Sequence, residues 1–141
     1  MNALYTTRVT VTNGRNGHAR SEDGLLELEL AMPKELGGTG QGTNPEQLFA
    51  AGYAACFGSA VMHVARQKRV ALADRDVSIT AAVSLLSAPE GGFRLKVDLE
   101  AALAGVDPQA AEDLVLAAHQ VCPYSNAVHG NIDVTLSVRT V

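Results

Sequence analysis

The chain has 141 residues, of which 47% are hydrophobic and 18% are charged, and its formal net charge is −4. This length predicts a single domain, residues 1–141, and the composition excludes a disordered or collagen-like chain. The acidic balance argues against nucleic acid or an anionic membrane as a partner. Because the N-terminus lacks a basic region followed by an apolar stretch, we predict a cytoplasmic protein. Its two cysteines are then expected to be reduced, metal-bound or catalytic rather than a permanent disulfide.

The first 32 residues are predicted to form a three-stranded meander. Tyr5–Thr12 is rich in β-branched residues, His18–Ser21 can form a short return strand, and Leu25–Met32 alternates apolar and acidic residues. The Asn–Gly pairs of Asn13–Gly17 favour a tight turn between the first two strands. The glycine-rich loop that follows, Gly37–Gly42, lacks the Gly-Lys-Ser/Thr of a phosphate-binding loop.

A long helix is predicted to begin near residue 44 and to end at about Arg69. Asn44 or Thr43 can cap its start, and Glu46 forms a capping-box pattern with Thr43. Leu48–Ala65 is apolar on every side of this helix, so we expect it to be enclosed all round. The segment reaches the length of a membrane span, but it is rich in alanine and glycine, and polar residues interrupt it. We therefore predict a buried helix of a soluble protein and no membrane partner.

The second half of the chain is predicted to contain a hairpin, a helix and a final strand. Val77–Leu86 and Phe93–Ala102 have strand patterns and are joined by a turn sequence. A helix should begin at Asp107–Pro108 and end at Cys122, because a proline follows that residue. Ile132–Val138 alternates like a strand. The order β-β-β-α-β-β-α-β predicts an α+β domain with antiparallel sheets.

The two cysteines are the residues best suited to catalysis or metal binding. Cys56 lies in the most apolar segment and could simply pack as a small hydrophobic residue. Cys122 lies at a helix end, where a thiol can reach another thiol and release it. His119 and Cys122 are three residues apart and could share a metal ion, whereas Cys56 and His63 are too far apart along a helix to do so easily. A metal site therefore remains an alternative.

A nucleophilic cysteine in apolar surroundings needs a cation, because burial disfavours the thiolate. Arginine suits this role because it stays charged when partly buried, and a carboxylate should then hold it. Arg15 in the first turn and Glu46 at the start of the long helix are the candidates. An exposed turn arginine and a capping glutamate are the simpler interpretations of the same two residues.

Four segments together resemble the organic hydroperoxide resistance (Ohr) branch of the Ohr/OsmC family. They are "TNPEQLFAAGYAACF" (Thr43–Phe57), "VCPYSNA" (Val121–Ala127), "NGRNG" (Asn13–Gly17) and "GNIDV" (Gly130–Val134). The resemblance implies that Cys56 attacks the peroxide and that Cys122 resolves the product as a disulfide. It also implies that Arg15 stabilises the thiolate and that Glu46 orients Arg15. Asn13 replaces the glycine usual in the family, but it also tolerates a positive φ.

The resemblance further implies an intertwined homodimer in which antiparallel sheets wrap around long central helices. It implies a thiol-dependent peroxidase that reduces organic hydroperoxides and is recycled by a dithiol such as dihydrolipoamide or a lipoylated protein, without metal, haem or flavin. Helix geometry independently favours a dimer, since Glu46 and Cys56 are separated by about 15 Å of helix rise. An antiparallel second copy could bring the two residues together. A Cys/His metal-binding protein and a non-catalytic thiol redox sensor remain the alternatives.

Overall fold

The computed structural model describes every residue, 1–141. The chain divides into two compact units, Met1–Leu48 and Phe49–Val141. The boundary falls inside the first long helix, and each unit is described by itself. The single-domain organisation predicted from the length stays a prediction.

The first unit contains a three-stranded antiparallel sheet in the order β1-β2-β3, which confirms the predicted meander. The strands are β1 (Val9–Thr12), β2 (His18–Ser21) and β3 (Glu27–Glu29). Both outer strands are shorter than predicted, because the central strand β2 offers only four residues for pairing. Leu30, directly after β3, instead forms an isolated parallel bridge with Thr43.

The predicted turn between β1 and β2 is formed around residues 14–16. Asn13 adopts a left-handed conformation with φ 59°, so the asparagine is accommodated as the sequence predicted. Gly17 cannot be replaced without moving the backbone, since a Cβ there would lie 1.5 Å from the Thr12 carbonyl oxygen. The turn therefore has a fixed shape, and Arg15 projects from its middle.

The long helix, α1, spans Pro45–Gln67. Asn44 caps it, because its side-chain oxygen accepts a hydrogen bond from the Gln47 amide at 2.9 Å. The predicted capping box between Thr43 and Glu46 is wrong. The Thr43 hydroxyl instead donates to the Gln47 side chain at 2.8 Å, and the Glu46 carboxylate binds an arginine.

The second unit is built on a three-stranded sheet in the order β4-β5-β6. β4 (Val77–Ser87) and β5 (Phe93–Leu103) form the predicted antiparallel hairpin. β6 (Val134–Thr140) pairs in parallel with β5, so the prediction of purely antiparallel sheets is wrong for this strand. Two helices connect β5 to β6 and return the chain to the end of the sheet at which β5 begins. A parallel pair of strands requires such a connection.

These two helices are α2 (Pro108–Val121) and α3 (Pro123–Val128). Asp107 caps α2 by accepting hydrogen bonds from two backbone amides, at 3.1 and 3.2 Å. α2 ends before Pro123 as predicted, with Cys122 in an extended conformation (φ −66°, ψ 122°). A new helix, not predicted from the sequence, then begins at Pro123 itself.

The core of the second unit lies between its sheet and its helices. Inward-facing residues alternate along β5, and α1 and α2 each cover them with one apolar stripe. The largest fully buried side chains are Tyr53, Phe57, Leu99, Leu103, Leu114, Val61, Val97 and Cys122.

The opposite face of α1 is not enclosed within one chain. Ala51, Ala55, Ser59 and His63 are exposed along it, so the prediction of burial on all sides is wrong for the isolated chain. α1 is long and apolar enough to cross a membrane, and 39% of its most apolar window is buried. Since its other face supplies much of the core, we interpret α1 as a core helix of a soluble protein.

Candidate active site

The second unit brings its two cysteines together. Cys56 lies on α1 and is partly buried, and it packs against the core cluster to which the fully buried Cys122 belongs. Both are free thiols. Cys122 forms the break between α2 and α3, where its amide bonds to the Ala118 carbonyl and its own carbonyl accepts from the Asn126 amide. One thiol therefore sits on a long rigid helix and the other at a joint between two helices.

The surroundings of Cys56 oppose its ionisation. Burial raises the pKa of the Cys56 thiol above its usual value of 9.0, and a hydrogen bond with the Cys122 sulfur raises it further. The backbone N–H of Tyr124 acts in the opposite direction and lowers the pKa, because it can donate to the thiolate. Burial is the largest of these effects. A nearby positive charge would therefore be required to keep the Cys56 thiol ionised at neutral pH.

An aromatic cluster lies beside the cysteines. The rings of Phe49, Tyr53 and Tyr124 have centroids 5.6 to 6.1 Å apart. The Tyr124 hydroxyl approaches the backbone of α1 at Gly52 so closely that a Cβ there would lie 2.5 Å from it. These rings give the surroundings of Cys56 an apolar character and seat Tyr124 against the helix that carries this cysteine.

A hydrogen-bond network connects the three helices that surround the cysteines. The hydroxyl oxygen of Ser125 lies 2.8 Å from the Tyr53 hydroxyl and 2.8 Å from Nδ1 of His119. Burial raises the pKa of Tyr53 and lowers the pKa of His119, so both groups are neutral at pH 7. The sequence alone did not predict this network. Its signal was the spacing of His119, Cys122 and Ser125, each three residues after the last.

The sequence spacing makes His119 a candidate partner of Cys122 in a metal site. Its Nδ1 is instead bonded to Ser125. No group of three or more His, Cys, Asp or Glu side chains in the chain is arranged to hold a metal ion.

The first unit brings the other two candidate residues together. The Arg15 guanidinium binds both oxygens of the Glu46 carboxylate, at 2.9 and 2.7 Å. The Arg15 side chain is 35% exposed and that of Glu46 is 16% exposed. The hydrogen bond to Arg15 lowers the pKa of Glu46, and the same bond raises the pKa of Arg15. Each residue therefore keeps its charge over a wide pH range, in a paired geometry that fixes the arginine.

Comparison with known proteins identifies the family. A family model described as OsmC-like protein matches residues 38–137. The chain is 53% identical to the organic hydroperoxide resistance protein of Xanthomonas axonopodis pv. citri, over 96% of this chain and 94% of that protein. The chain belongs to the Ohr/OsmC family. The resemblance carried by the four sequence segments is thereby confirmed.

Further members agree with this assignment. The organic hydroperoxide resistance protein OhrB of Bacillus subtilis is 46% identical over 97% of this chain and 99% of that protein. A crystal structure of an organic hydroperoxide resistance protein from Legionella pneumophila, described as a predicted redox protein, superposes with a TM-score of 0.93. It is 58% identical and covers 99% of this chain and 100% of that one. The predicted α+β, OsmC-like fold is confirmed.

Proposed function

We propose that this protein is a cysteine-based peroxidase that protects the cell against organic hydroperoxides. The observation that carries the proposal is the meeting of two free thiols, far apart in sequence, in one partly buried apolar site. The names of its Ohr/OsmC relatives, which refer to organic hydroperoxide resistance, support the same substrate class. In this reaction Cys56 attacks the peroxide and Cys122 resolves the product.

The burial of the two thiols supports this division of roles. Cys56 is partly accessible, so a substrate can reach it, whereas Cys122 is fully buried and can react only with a neighbour. The aromatic rings near Cys56 favour a substrate with an apolar tail, because each Å² of buried apolar area contributes about 25 cal/mol. An alkyl or fatty-acid hydroperoxide therefore suits the site better than hydrogen peroxide.

Arg15 is proposed as the cation that keeps Cys56 ionised. The raised pKa of the buried thiol creates the need for a positive charge. Arg15 is permanently charged, only about a third of its side chain is exposed, and the two-point contact with Glu46 limits its motion. Glu46 is proposed to orient Arg15 rather than to touch the substrate.

The reaction begins with the Cys56 thiolate attacking the distal oxygen of the hydroperoxide. The O–O bond breaks, the alkoxide leaves and takes up a proton to form the alcohol, and Cys56 becomes a sulfenic acid. The Cys122 thiol then attacks the oxidised sulfur, which forms the Cys56–Cys122 disulfide and releases water. An external dithiol reduces this disulfide by exchange and becomes a disulfide itself. Dihydrolipoamide or a lipoylated protein is the proposed reductant, and the sequence motifs imply no metal, haem or flavin.

We also propose that the protein acts as a homodimer in the cytoplasm. The exposed small residues Ala51, Ala55 and Ser59 form a smooth surface along α1 on which the helix of a second copy can pack closely. A second chain would complete the burial that the apolar sequence of α1 requires. The cytoplasm supplies the reductants that keep structural disulfides rare and thiols available for catalysis.

Steady-state reduction of cumene hydroperoxide and of a fatty-acid hydroperoxide tests this function. Dihydrolipoamide, thioredoxin and glutathione are compared as electron donors. Cys56→Ser should abolish turnover, whereas Cys122→Ser should reduce one equivalent of peroxide and then stop, with Cys56 open to overoxidation. Full turnover by Cys56→Ser would place the nucleophile elsewhere. A wild-type protein that oxidises once and is not recycled by any dithiol would instead be a thiol sensor.

A further inference from the structure

Ser125 is the one hydroxyl group that links all three helices around the cysteines. It lies on α3 and is 3% exposed. Its oxygen contacts the Tyr53 hydroxyl on α1 and Nδ1 of His119 on α2, both at 2.8 Å. Tyr53 is itself fully buried, so neither it nor Ser125 can exchange these bonds for water.

Each contact of Ser125 lies within one helical turn of a cysteine. Tyr53 precedes Cys56 by three residues on α1, and residues three apart share a helix face. His119 precedes Cys122 by three residues, and Ser125 follows Cys122 by three residues. The Tyr53 hydroxyl is near enough to both sulfurs for their charges to act on it. The hydroxyl bridge and the two thiols therefore belong to the same small volume.

The backbone of Cys122 joins two helices, since its amide bonds within α2 and its carbonyl accepts a hydrogen bond within α3. Pro123 excludes helical geometry at Cys122, and the residue provides no side-chain cap for α3. The orientation of the Cys122 thiol then depends on the angle at which α3 meets α2. Ser125, in the first turn of α3, is bonded to α2 through His119 and to α1 through Tyr53. These two bonds therefore tie α3 to both neighbouring helices.

We propose that Ser125 is a positioning residue for the resolving cysteine. Its hydroxyl, held between Tyr53 and His119, orients Cys122 toward Cys56 and so sets the rate at which the disulfide closes. The inference rests on the proposed peroxidase function, but it concerns the second chemical step only. The step is the attack of the Cys122 thiol on the Cys56 sulfenic acid, which forms the S–S bond and releases water. Ser125 exchanges neither atoms nor electrons in it.

The hydrogen bonds of the bridge can all be made at once. A neutral imidazole accepts a hydrogen bond at Nδ1 from the Ser125 hydroxyl, and the Ser125 oxygen accepts one from the Tyr53 hydroxyl. One hydroxyl thus serves both partners. Alanine at this position would leave the buried Tyr53 hydroxyl and the partly buried His119 imidazole without this partner, whereas threonine would keep the oxygen.

Single-turnover kinetics separates this role from a general loss of structure. Sulfenic acid formation is followed by trapping with dimedone, and disulfide closure by the loss of the second free thiol, since the sulfenic acid has already consumed the first. In Ser125→Ala, sulfenic acid formation should stay within about twofold of wild type while closure slows about tenfold or more, because small misplacements of reacting groups are costly. Ser125→Thr should recover most of the closure rate. Ser78→Ala, which removes an exposed hydroxyl from β4, is the matched control and should change neither step.

A second measurement needs no peroxide. The equilibrium of the Cys56–Cys122 disulfide with oxidised and reduced dithiothreitol gives the effective concentration of one thiol near the other, and Ser125→Ala should lower it about tenfold or more. Wild-type closure rate and effective concentration in Ser125→Ala would overturn the proposal. Equal losses in the alanine and threonine variants would also overturn it, because packing rather than the hydroxyl would then matter. If wild type forms no sulfenic acid but keeps a high effective concentration that Ser125→Ala lowers, only the peroxidase function fails.

Discussion

The close approach of Tyr124 to α1 predicts the effect of adding one methyl group at Gly52. A Cβ at this position would lie 2.5 Å from Oη and 3.1 Å from Cζ of Tyr124, so Gly52→Ala forces the ring to shift. Alanine inside a helix gains about 1 kcal/mol over glycine, whereas overpacking a tight contact costs about 1–3 kcal/mol. The difference is a net loss of up to about 2 kcal/mol. The Tyr124 backbone N–H lowers the pKa of Cys56, so a shift that moves this group away should raise the pKa of this thiol.

Two further variants isolate the contact. Gly58→Ala adds the same methyl group to the same helix, but its Cβ would lie 3.3 Å from Cγ1 of Ile79, a contact that needs only a small adjustment. We expect this variant to be as stable as wild type or more stable by up to about 1 kcal/mol. Tyr124→Phe removes the hydroxyl that Gly52→Ala would strike, so the double variant should lose less stability than the sum of the two single variants.

Urea unfolding followed by far-ultraviolet circular dichroism measures these differences. All variants are compared at one protein concentration, since association would stabilise the folded state. If Gly52→Ala stabilises the protein as much as Gly58→Ala does, or shows no coupling to Tyr124→Phe, the close packing of Tyr124 on α1 is refuted.

Two other predictions concern stability. The Arg15 hydrogen bond lowers the pKa of Glu46 from 4.5, so the pair stabilises the folded protein above that pH and is lost as the pH falls through the lower, folded-state pKa. Glu46→Gln should therefore cost about 1 kcal/mol at pH 7 and flatten the acid dependence of urea unfolding; an unchanged acid dependence would contradict this. Asp107→Ala should cost about 1 kcal/mol by removing the cap of α2, and Asp107→Asn should retain most of the stability. An alanine variant as stable as wild type in the same assay would refute the capping role.

Local patterns were sufficient to predict most of the strands and helices. The two hairpins followed from turn sequences, and α2 began at its aspartate cap and its proline as predicted. The parallel pairing of β6 could not be predicted in this way, because strand alternation is the same in parallel and antiparallel sheets. Whether β6 pairs in parallel or antiparallel depends on the end of the sheet to which α2 and α3 return the chain. The helix α3 was not predicted, because Pro123 was interpreted only as the end of a helix. Proline is equally favourable in the first turn of a new one.

The candidate site shows the same division between local and tertiary information. The sequence identified the pairing of Arg15 with Glu46 as a hypothesis, although an exposed turn arginine and a capping glutamate were simpler interpretations. The contact joins residues far apart in the chain, and no local pattern encodes it. Ser125 was missed for a similar reason, because its partners become apparent only when Tyr53 on α1 and His119 on α2 are brought together.

The claim that Arg15 keeps Cys56 ionised is tested most directly by the pKa of this thiol. Thiolate absorbance in the ultraviolet is titrated in a Cys122→Ser background, where Cys56 is the only cysteine. Arg15→Ala is compared with Arg8→Ala, which removes an exposed arginine from the same unit. We expect this role of Arg15 to give a Cys56 pKa below the value for free cysteine, raised by at least about one unit in Arg15→Ala and unchanged in Arg8→Ala. Identical titration curves for Arg15→Ala and its unsubstituted parent would contradict it.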